Sequence, residues 1–374
     1  MPPADLDDLL ALTLVPGLGP RLTQALLDRF GSAAAARRAS VAQLQEVPHI
    51  GAKLANDFAA VLRTVDPQAE RDRIAEHGVT LVPLSSPDYP DRLKDLPDAP
   101  HLLYMRGTVL PTDVNAVAIV GSRRCSSYGL RVAGKLAGDL ARAGYTVVSG
   151  LALGIDGAAH RGALDAGGRT LAVLANGLAS VYPPDHVALA EQVVAQGALL
   201  TETSMGMSPQ KGMFHARNRL ISGLARAVVI VEANDKSGAL ITARHAAEQG
   251  RDVFAFPANV DSALSAGSLR LLRDGAKLIR HADDLLEDLN GLQVSARPRG
   301  GSKEPTPARA APPALPPITD PVHQRVWELL AEPKHADEIT RALGVSAGQL
   351  SSVLLTMEMK KLIRRAPGNV YERR

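Results

Sequence analysis

The chain is 374 residues long, a length that suggests two or three domains. Hydrophobic residues make up 45% and aromatics only 3%, so a sizeable core must be built mostly from Ala, Val, Leu and Ile. The balance of 42 Lys+Arg against 39 Asp+Glu leaves a net charge of +3, so any polyanion site must come from local clustering. The lone Cys125 excludes an intramolecular disulfide framework, and no Cys/His spacing resembles a zinc site. Residues 1–14 carry an acidic run and no basic segment before their apolar stretch, which argues against a signal peptide. No apolar run approaches the roughly 20 residues that span a bilayer. The expectation is a cytoplasmic protein with no membrane insertion, no metal and no cofactor.

In chain order, residues 1–66 read as a helical domain. It holds two similar turns, Val15-Pro16-Gly17-Leu18-Gly19-Pro20 and Val47-Pro48-His49-Ile50-Gly51-Ala52-Lys53, each between helical patterns. A short Gly-containing turn between helices is the form of a helix-hairpin-helix, whose amides can point at a DNA phosphate. A small bundle whose glycines only reverse the chain fits equally, and only the second turn offers a well-placed cation, Lys53. Residues 67–290 form the next domain. After a helix at 70–77 and a strand at 79–84, strands are predicted at 117–120, 146–149, 170–174, 199–202, 227–231, 253–256 and 277–279. They alternate with helical segments, the pattern of a mostly parallel α/β sheet covered on both faces. Residues 291–317, rich in Pro, Ala, Gly and Arg, read as a flexible linker. In 318–374, helices at 321–331, 336–343 and 347–360 precede a hairpin signal around Pro367-Gly368-Asn369. That is a winged helix, but its third helix carries only Lys360 and Lys361, so DNA contact and protein contact both remain open.

Four segments carry chemistry. The first predicted strand ends in Gly121-Ser122-Arg123-Arg124. Ligands of open parallel sheets bind beyond the carboxyl ends of strands. A Gly there admits a phosphate, Ser122 can donate to it, and Arg123 can clamp it; a tight turn with a solvated Arg is the plain alternative. The second ends in Ser149-Gly150 and continues to Asp156 and His160. An Asp/His pair can do acid–base chemistry, but a helix cap and an orienting hydrogen bond fit better, since no nucleophile accompanies it. The fourth leads into an extended loop, 204–219, concentrating Lys211, His215, Arg217 and Arg219 around Phe214 and Asn218. Long loops in compact domains are usually functional. An aromatic that stacks a base amid cations that take phosphates suits nucleic acid; Phe214 as a packing plug is the alternative. The fifth is followed by Lys236-Ser237-Gly238, which either caps an anion or simply starts a helix. All four follow carboxyl ends of strands in one sheet, so they converge on one edge, where an extended polyanion fits better than a small substrate.

At this point the chain resembles the DNA-processing protein A (DprA/Smf) family. The resemblance rests on I-V-G-S-R at 119–123, S-G-L-A-x-G-I-D-x-x-A-H at 149–160, K-x-x-F-x-x-R-N-R at 211–219, S-G-x-L-I-T-A-x-x-A-x-x-Q-G at 237–250 and R-D-G-A at 273–276, in that order. It implies an extended Rossmann-like sheet between an N-terminal helix-hairpin-helix (SAM-like) domain and a C-terminal winged helix. It implies sequence-independent binding and protection of single-stranded DNA, loading of RecA recombinase during natural transformation and recombination, and homodimerisation. Gly121, Ser122, Arg123, Lys211, Phe214, Arg217, Asn218 and Arg219 inherit DNA-contact roles; Ser149, Gly150, Lys236, Ser237 and Gly238 join them as candidates from their positions at strand ends. The sequence departs from the pattern at Leu153 and Ala216, where the family often has a cation, and at Leu269, usually Asn.

Two other readings compete. Nucleotide-processing hydrolases of the cytokinin-activating kind share a similar fold and glycine-rich phosphate turns, but carry a catalytic Glu after P-G-G-x-G-T that 236–242 lack. An adaptor with a vestigial pocket is the third. With no nucleophile–base pair, metal cluster or Walker A, no catalytic residue is expected and the chain is read as a non-enzyme.

Overall fold

The computed structural model describes residues 3–290, 320–330, 332, 334–359, 362–366 and 370–373. The linker at 291–317, Lys360, Lys361 and the turn Pro367-Gly368-Asn369 lie outside the described residues. Contacts divide the chain into two units, Met1–Arg297 and Pro298–Arg374.

The first unit opens with α1 (Pro3–Thr13), α2 (Pro20–Phe30), α3 (Ala33–Arg38), α4 (Val41–Gln45), α5 (Ala52–Thr64) and α6 (Gln68–Glu76). The turns joining α1 to α2 and α4 to α5 share one design. Gly17 and His49 take φ of 80° and 68°, and the amides of Leu18 and Ile50 donate to Val15 and Val47 carbonyls, each at 3.1 Å. Gly19 and Gly51 then open α2 and α5. Arg21 occupies in α2 the place Lys53 occupies in α5, and both are exposed, so the expectation of a cation at the second turn alone is corrected.

The sheet comprises β1 (Thr80–Pro83), β2 (Leu102–Gly107), β3 (Ala116–Val120), β4 (Thr146–Ser149), β5 (Thr170–Val173), β6 (Gly197–Thr201), β7 (Ala227–Ile230), β8 (Asp252–Ala255) and β9 (Lys277–Leu278). Their order is β1-β2-β6-β5-β4-β3-β7-β8-β9. The β1–β2 and β2–β6 pairs are antiparallel and the rest parallel. β2 was absent from the sequence expectation: it precedes the alternating strand–helix stretch, although its first four residues are buried like those of the strands that were read. Between strands run α7 (Asp91–Lys94), α8 (Ser127–Arg142), α9 (Ile155–Asp165), α10 (Val187–Gln196), α11 (Lys211–Leu224), α12 (Ala239–Glu248) and α13 (Ala266–Arg273), with α14 (Ala282–Leu289) last. Alternate strand residues face opposite cores. Val117, Ile119, Val147 and Val229 meet α8, α9 and α14, whereas Ala118, Val120, Val148 and Ile230 meet α11 and α12. The N-terminal helices share a core with Leu102, Tyr104, Leu174 and Leu178.

The second unit contains α15 (Pro321–Leu329), β10 (Lys334–His335), α16 (Ala336–Leu343), α17 (Ala347–Met359), β11 (Ile363–Ala366) and β12 (Val370–Arg373). Its strands pair in the order β10-β12-β11, and Val326, Ile339, Leu350, Leu354 and Met357 form its core. An extended Rossmann-like sheet with helical-hairpin and winged-helix extensions is the expected fold class. Among the described residues no helix is long and apolar enough to cross a membrane.

Candidate nucleic-acid interface

From β3 the chain walks outward through β4, β5 and β6, then returns to place β7 on the other edge of β3. Such a switch point leaves a crevice beyond the strand ends. A cavity of about 460 Å³ lies there, lined by the turn after β3, the start of α9, the start of α11 and the segment between β7 and α12. Three helix N-termini therefore meet at one cavity, and their free amides favour an anion.

Glycine sets the cavity's walls. A Cβ on Gly121 would lie 2.6 Å from the Ile155 side chain and 2.8 Å from the Glu232 carbonyl, so Gly121 is needed to seat α9 against the end of β3. Gly154, at φ +78°, turns the chain into α9 with its own would-be Cβ 2.4 Å from the Ser122 carbonyl. Gly154 is the N-cap, not Asp156 as expected. Asp156 sits one step inside the helix and accepts the Gly150 amide at 3.1 Å. Burial pushes its carboxyl up, opposed by Arg217, the amides of Ala152 and Gly150, and Arg123.

Of the expected site residues, Gly121, Ser122, Arg123, Lys211, Phe214, Arg217, Asn218, Lys236, Ser237 and Gly238 line this cavity. They differ in what they have free. Ser122 is buried; its hydroxyl accepts the Arg124 amide at 3.1 Å and donates to the Arg124 carbonyl at 3.0 Å, closing the turn. Asn218 donates to the Gly238 carbonyl at 3.2 Å, tying α11 to α12. Ser237 accepts the Ala239 amide at 3.3 Å. Arg217 is buried beneath the cavity and donates to the carbonyls of Gly150, at 2.8 Å, and Val173. Desolvation brings its guanidinium down to about 10, with Asp156 opposing. The exposed cations are Arg123, Arg124, Lys211 and Lys236. The Arg123 guanidinium lies 4.6 Å from the Phe214 ring centroid, a cation–π distance.

Three expected residues are placed outside the lining. Ser149 is fully buried and donates to the Ile119 carbonyl at 2.6 Å, holding β4 to β3. Gly150 lies beneath Arg217, whose guanidinium would be 2.5 Å from a Cβ there. Arg219 pairs with Glu202 and donates to the Asp98 carbonyl at 2.9 Å. Arg219 is turned away because residues 211–219 are not the expected loop. They begin α11, and only 202–210 are irregular. Pro209 precedes the helix and Gly212 lies in its first turn.

His160 is also away from the cavity. Its Nδ1 lies 2.7 Å from the Thr170 hydroxyl, and burial, reinforced by His186, Arg217 and Arg161, lowers it to about 3. Sequence reasoning missed Tyr182, whose ring centroid is 5.9 Å from that of Phe214 at an interplanar angle of 56°. Its signal was the segment after β5, Asn176 to Pro184, which follows a strand end like the others. Among the described residues no group of His, Cys, Asp or Glu is arranged to hold a metal.

A profile of DNA recombination-mediator protein A matches residues 80–290. Profiles of the DprA winged helix domain and the SAM-like helix-hairpin-helix tandem match 309–369 and 9–62. The chain is 34% identical over 390 aligned positions to Protein Smf of Synechocystis, covering 98% of both chains. It is 40% identical to DNA processing protein DprA of Bacillus subtilis over 57% of this chain and 72% of that one. DNA processing protein A from Streptococcus pneumoniae superposes with a TM-score of 0.65 at 32% identity, over 75% of this chain and 95% of that one. DNA processing protein A from Helicobacter pylori, whose structure concerns its single-stranded DNA binding mode, gives 0.52 at 31% identity, over 57% of this chain and 95% of that one. With a profile spanning more than half its length and a relative matched end to end, this chain belongs to the DNA recombination-mediator protein A family.

Proposed function

We propose that the chain binds single-stranded DNA without sequence preference at the cavity beside β3 and β7. The carrying observation is that Arg123, Lys211 and Lys236, from three separate segments, open on one cavity that also holds Phe214. Cations there take phosphates while aromatic rings take unstacked bases. The single-stranded DNA binding mode studied in the Helicobacter pylori relative supports the reading. Gly121, Ser122, Asn218, Ser237 and Gly238 shape the site in this account, and Arg217 braces its floor. The resemblance supports the wider role: protection of incoming strands, RecA loading in transformation and recombination, homodimerisation and a cytoplasmic location.

The reading is of a binding protein without turnover. Asp156 is committed to the Gly150 and Ala152 amides, and His160 is neutral and lies away from the cavity, so neither serves as a general acid or base at neutral pH. The test is a salt-dependent titration of a labelled single strand against blunt duplex of equal length. Tighter binding to the single strand, with a log–log slope of about −0.7 per neutralised phosphate, is expected. Equal affinity for both forms would defeat the proposal, as would release of free base from nucleoside monophosphates.

A further inference from the structure

Phe214 was the aromatic expected to stack a base, yet its ring lies half-buried between Arg123 and Tyr182. Tyr182, whose ring is tilted against Phe214, is 42% exposed. Two more large apolar side chains, Leu153 and Met207, are 41% and 42% exposed. The three belong to the segments after β4, β5 and β6, which are neighbours in the sheet. They therefore crowd one side of the carboxyl edge, next to the cationic cavity and continuous with it through the Phe214–Tyr182 contact.

Single exposed apolar residues are ordinary; a rigid row of them beside a cation cavity calls for a ligand that is charged on one side and apolar on the other. These segments are fastened to one another. Gly177 and Ala179 amides donate to Met207 and Met205 carbonyls at 3.0 and 3.2 Å. The Asn176 side chain donates to the Ser180 carbonyl at 2.7 Å. His186 Nδ1 donates to the Leu151 carbonyl at 2.9 Å, and the Thr203 hydroxyl to the Ala175 carbonyl at 3.1 Å. A surface held this way loses little freedom on binding.

We propose that Tyr182 is a base-stacking residue, flanked by Leu153 and Met207, and that this shelf takes the bases of a strand whose phosphates occupy the cavity. The proposal rests on the single-stranded DNA reading and gives it a direction: phosphates over the β3–β7 crevice, bases over β4, β5 and β6. Stacking on an aromatic face is tolerant of sequence, since every base has a π-face.

The test uses the full chain and two probes of equal length and charge, an oligothymidylate and an abasic strand. Tyr182→Ala should weaken binding of the oligothymidylate by about tenfold, the size of one base–aromatic stack, and leave the abasic strand unchanged. Tyr182→Phe should restore it, and Tyr182→Leu, which keeps bulk without a ring, should not. Leu110→Ala, an exposed apolar residue preceding β3 at its amino end, should do nothing. In a Tyr182→Trp, Trp327→Phe double variant, the oligothymidylate should quench tryptophan emission and the abasic strand should not. Equal losses on both probes, or none on either, would overturn the proposal. So would a change in sedimentation with unchanged DNA affinity, which would assign the shelf to a second copy of the chain. If the unaltered protein binds neither probe, the DNA reading itself falls first, a result distinct from the other two.

Discussion

Arg217 and Arg219 lie two positions apart in α11, where a helix turns them about 200° from each other, and so they reach different partners. Arg217 runs under the cavity to the Gly150 and Val173 carbonyls; Arg219 runs away from it to Glu202 and Asp98. Lys211 and Phe214, one turn apart, share the cavity face with Asn218. The motif was legible as a string of cations, but burial was not, because a loop leaves every side chain free while a helix sorts them by angle. Two outcomes separate the classes. Lys211→Ala should leave the melting temperature unchanged and reduce the magnitude of the single-strand salt slope by about 0.7, one phosphate's share. Arg217→Met should lower the unfolding free energy by about 3–5 kcal/mol, because it leaves the buried Gly150 and Val173 carbonyls without their donor and takes a positive charge from near Asp156; urea denaturation measures it. A stability loss below about 1 kcal/mol together with a collapse of DNA affinity would make Arg217 a ligand contact instead.

Elements were legible where period and turn chemistry agreed. The parallel-sheet strands follow from short apolar runs alternating with helical segments, and two of them, β3 and β4, run directly into Gly121 and Gly150. β2 escaped although it is covered on both faces like the strands that were read, Leu102 and Tyr104 in one core and Leu103 and Met105 in the other; it is antiparallel to its neighbours and lies before the stretch where strands and helices alternate. α9 was legible, and the preferred reading of Asp156 and His160 as bracing residues fits their contacts, although the cap itself is Gly154. Asp156 reaches the Gly150 amide; His160 reaches Thr170 on β5. The second contact has a pH signature. Burial depresses His160 to about 3 in the fold, against roughly 6.5 when unfolded. The unfolded chain therefore binds a proton first, and stability present above pH 6.5 is lost as pH falls toward 3, at up to about 1.4 kcal/mol per unit. Between pH 6.5 and 5, before carboxylates dominate, His160→Gln should flatten the dependence of unfolding free energy on pH. An unchanged slope would mean that His160 takes up its proton at the same pH in the native and unfolded states.

At the scale of the molecule, the helical hairpins are built into the first unit. Leu10, Leu12, Leu26 and Phe58 from α1, α2 and α5 belong to the same core as Leu102, Tyr104, Leu174 and Leu178 around the sheet. Polar contacts cross the same boundary. His101 Nε2 donates to the Gln24 side chain at 2.8 Å, and Arg71 of α6 pairs with Asp7 of α1. Glu70, buried on α6, accepts the Met205 amide at 2.6 Å, so α6 also fixes the segment that leads into α11 and its Lys211. A chain begun at residue 67 keeps Glu70 but strips the apolar cover from β2. Exposing a buried Leu or Tyr costs about 1.5–3 kcal/mol each, a large share of a domain's 5–15 kcal/mol. The shortened chain should melt at a lower temperature and self-associate through the bared face of Leu102 and Tyr104, as read by calorimetry and light scattering. Its single-strand affinity should also fall, because the irregular stretch at 202–210 loses its backing while every cavity-lining residue remains. A shortened chain that melts unchanged, stays monodisperse and binds DNA as before would show that the hairpins are tethered to the sheet rather than part of its core.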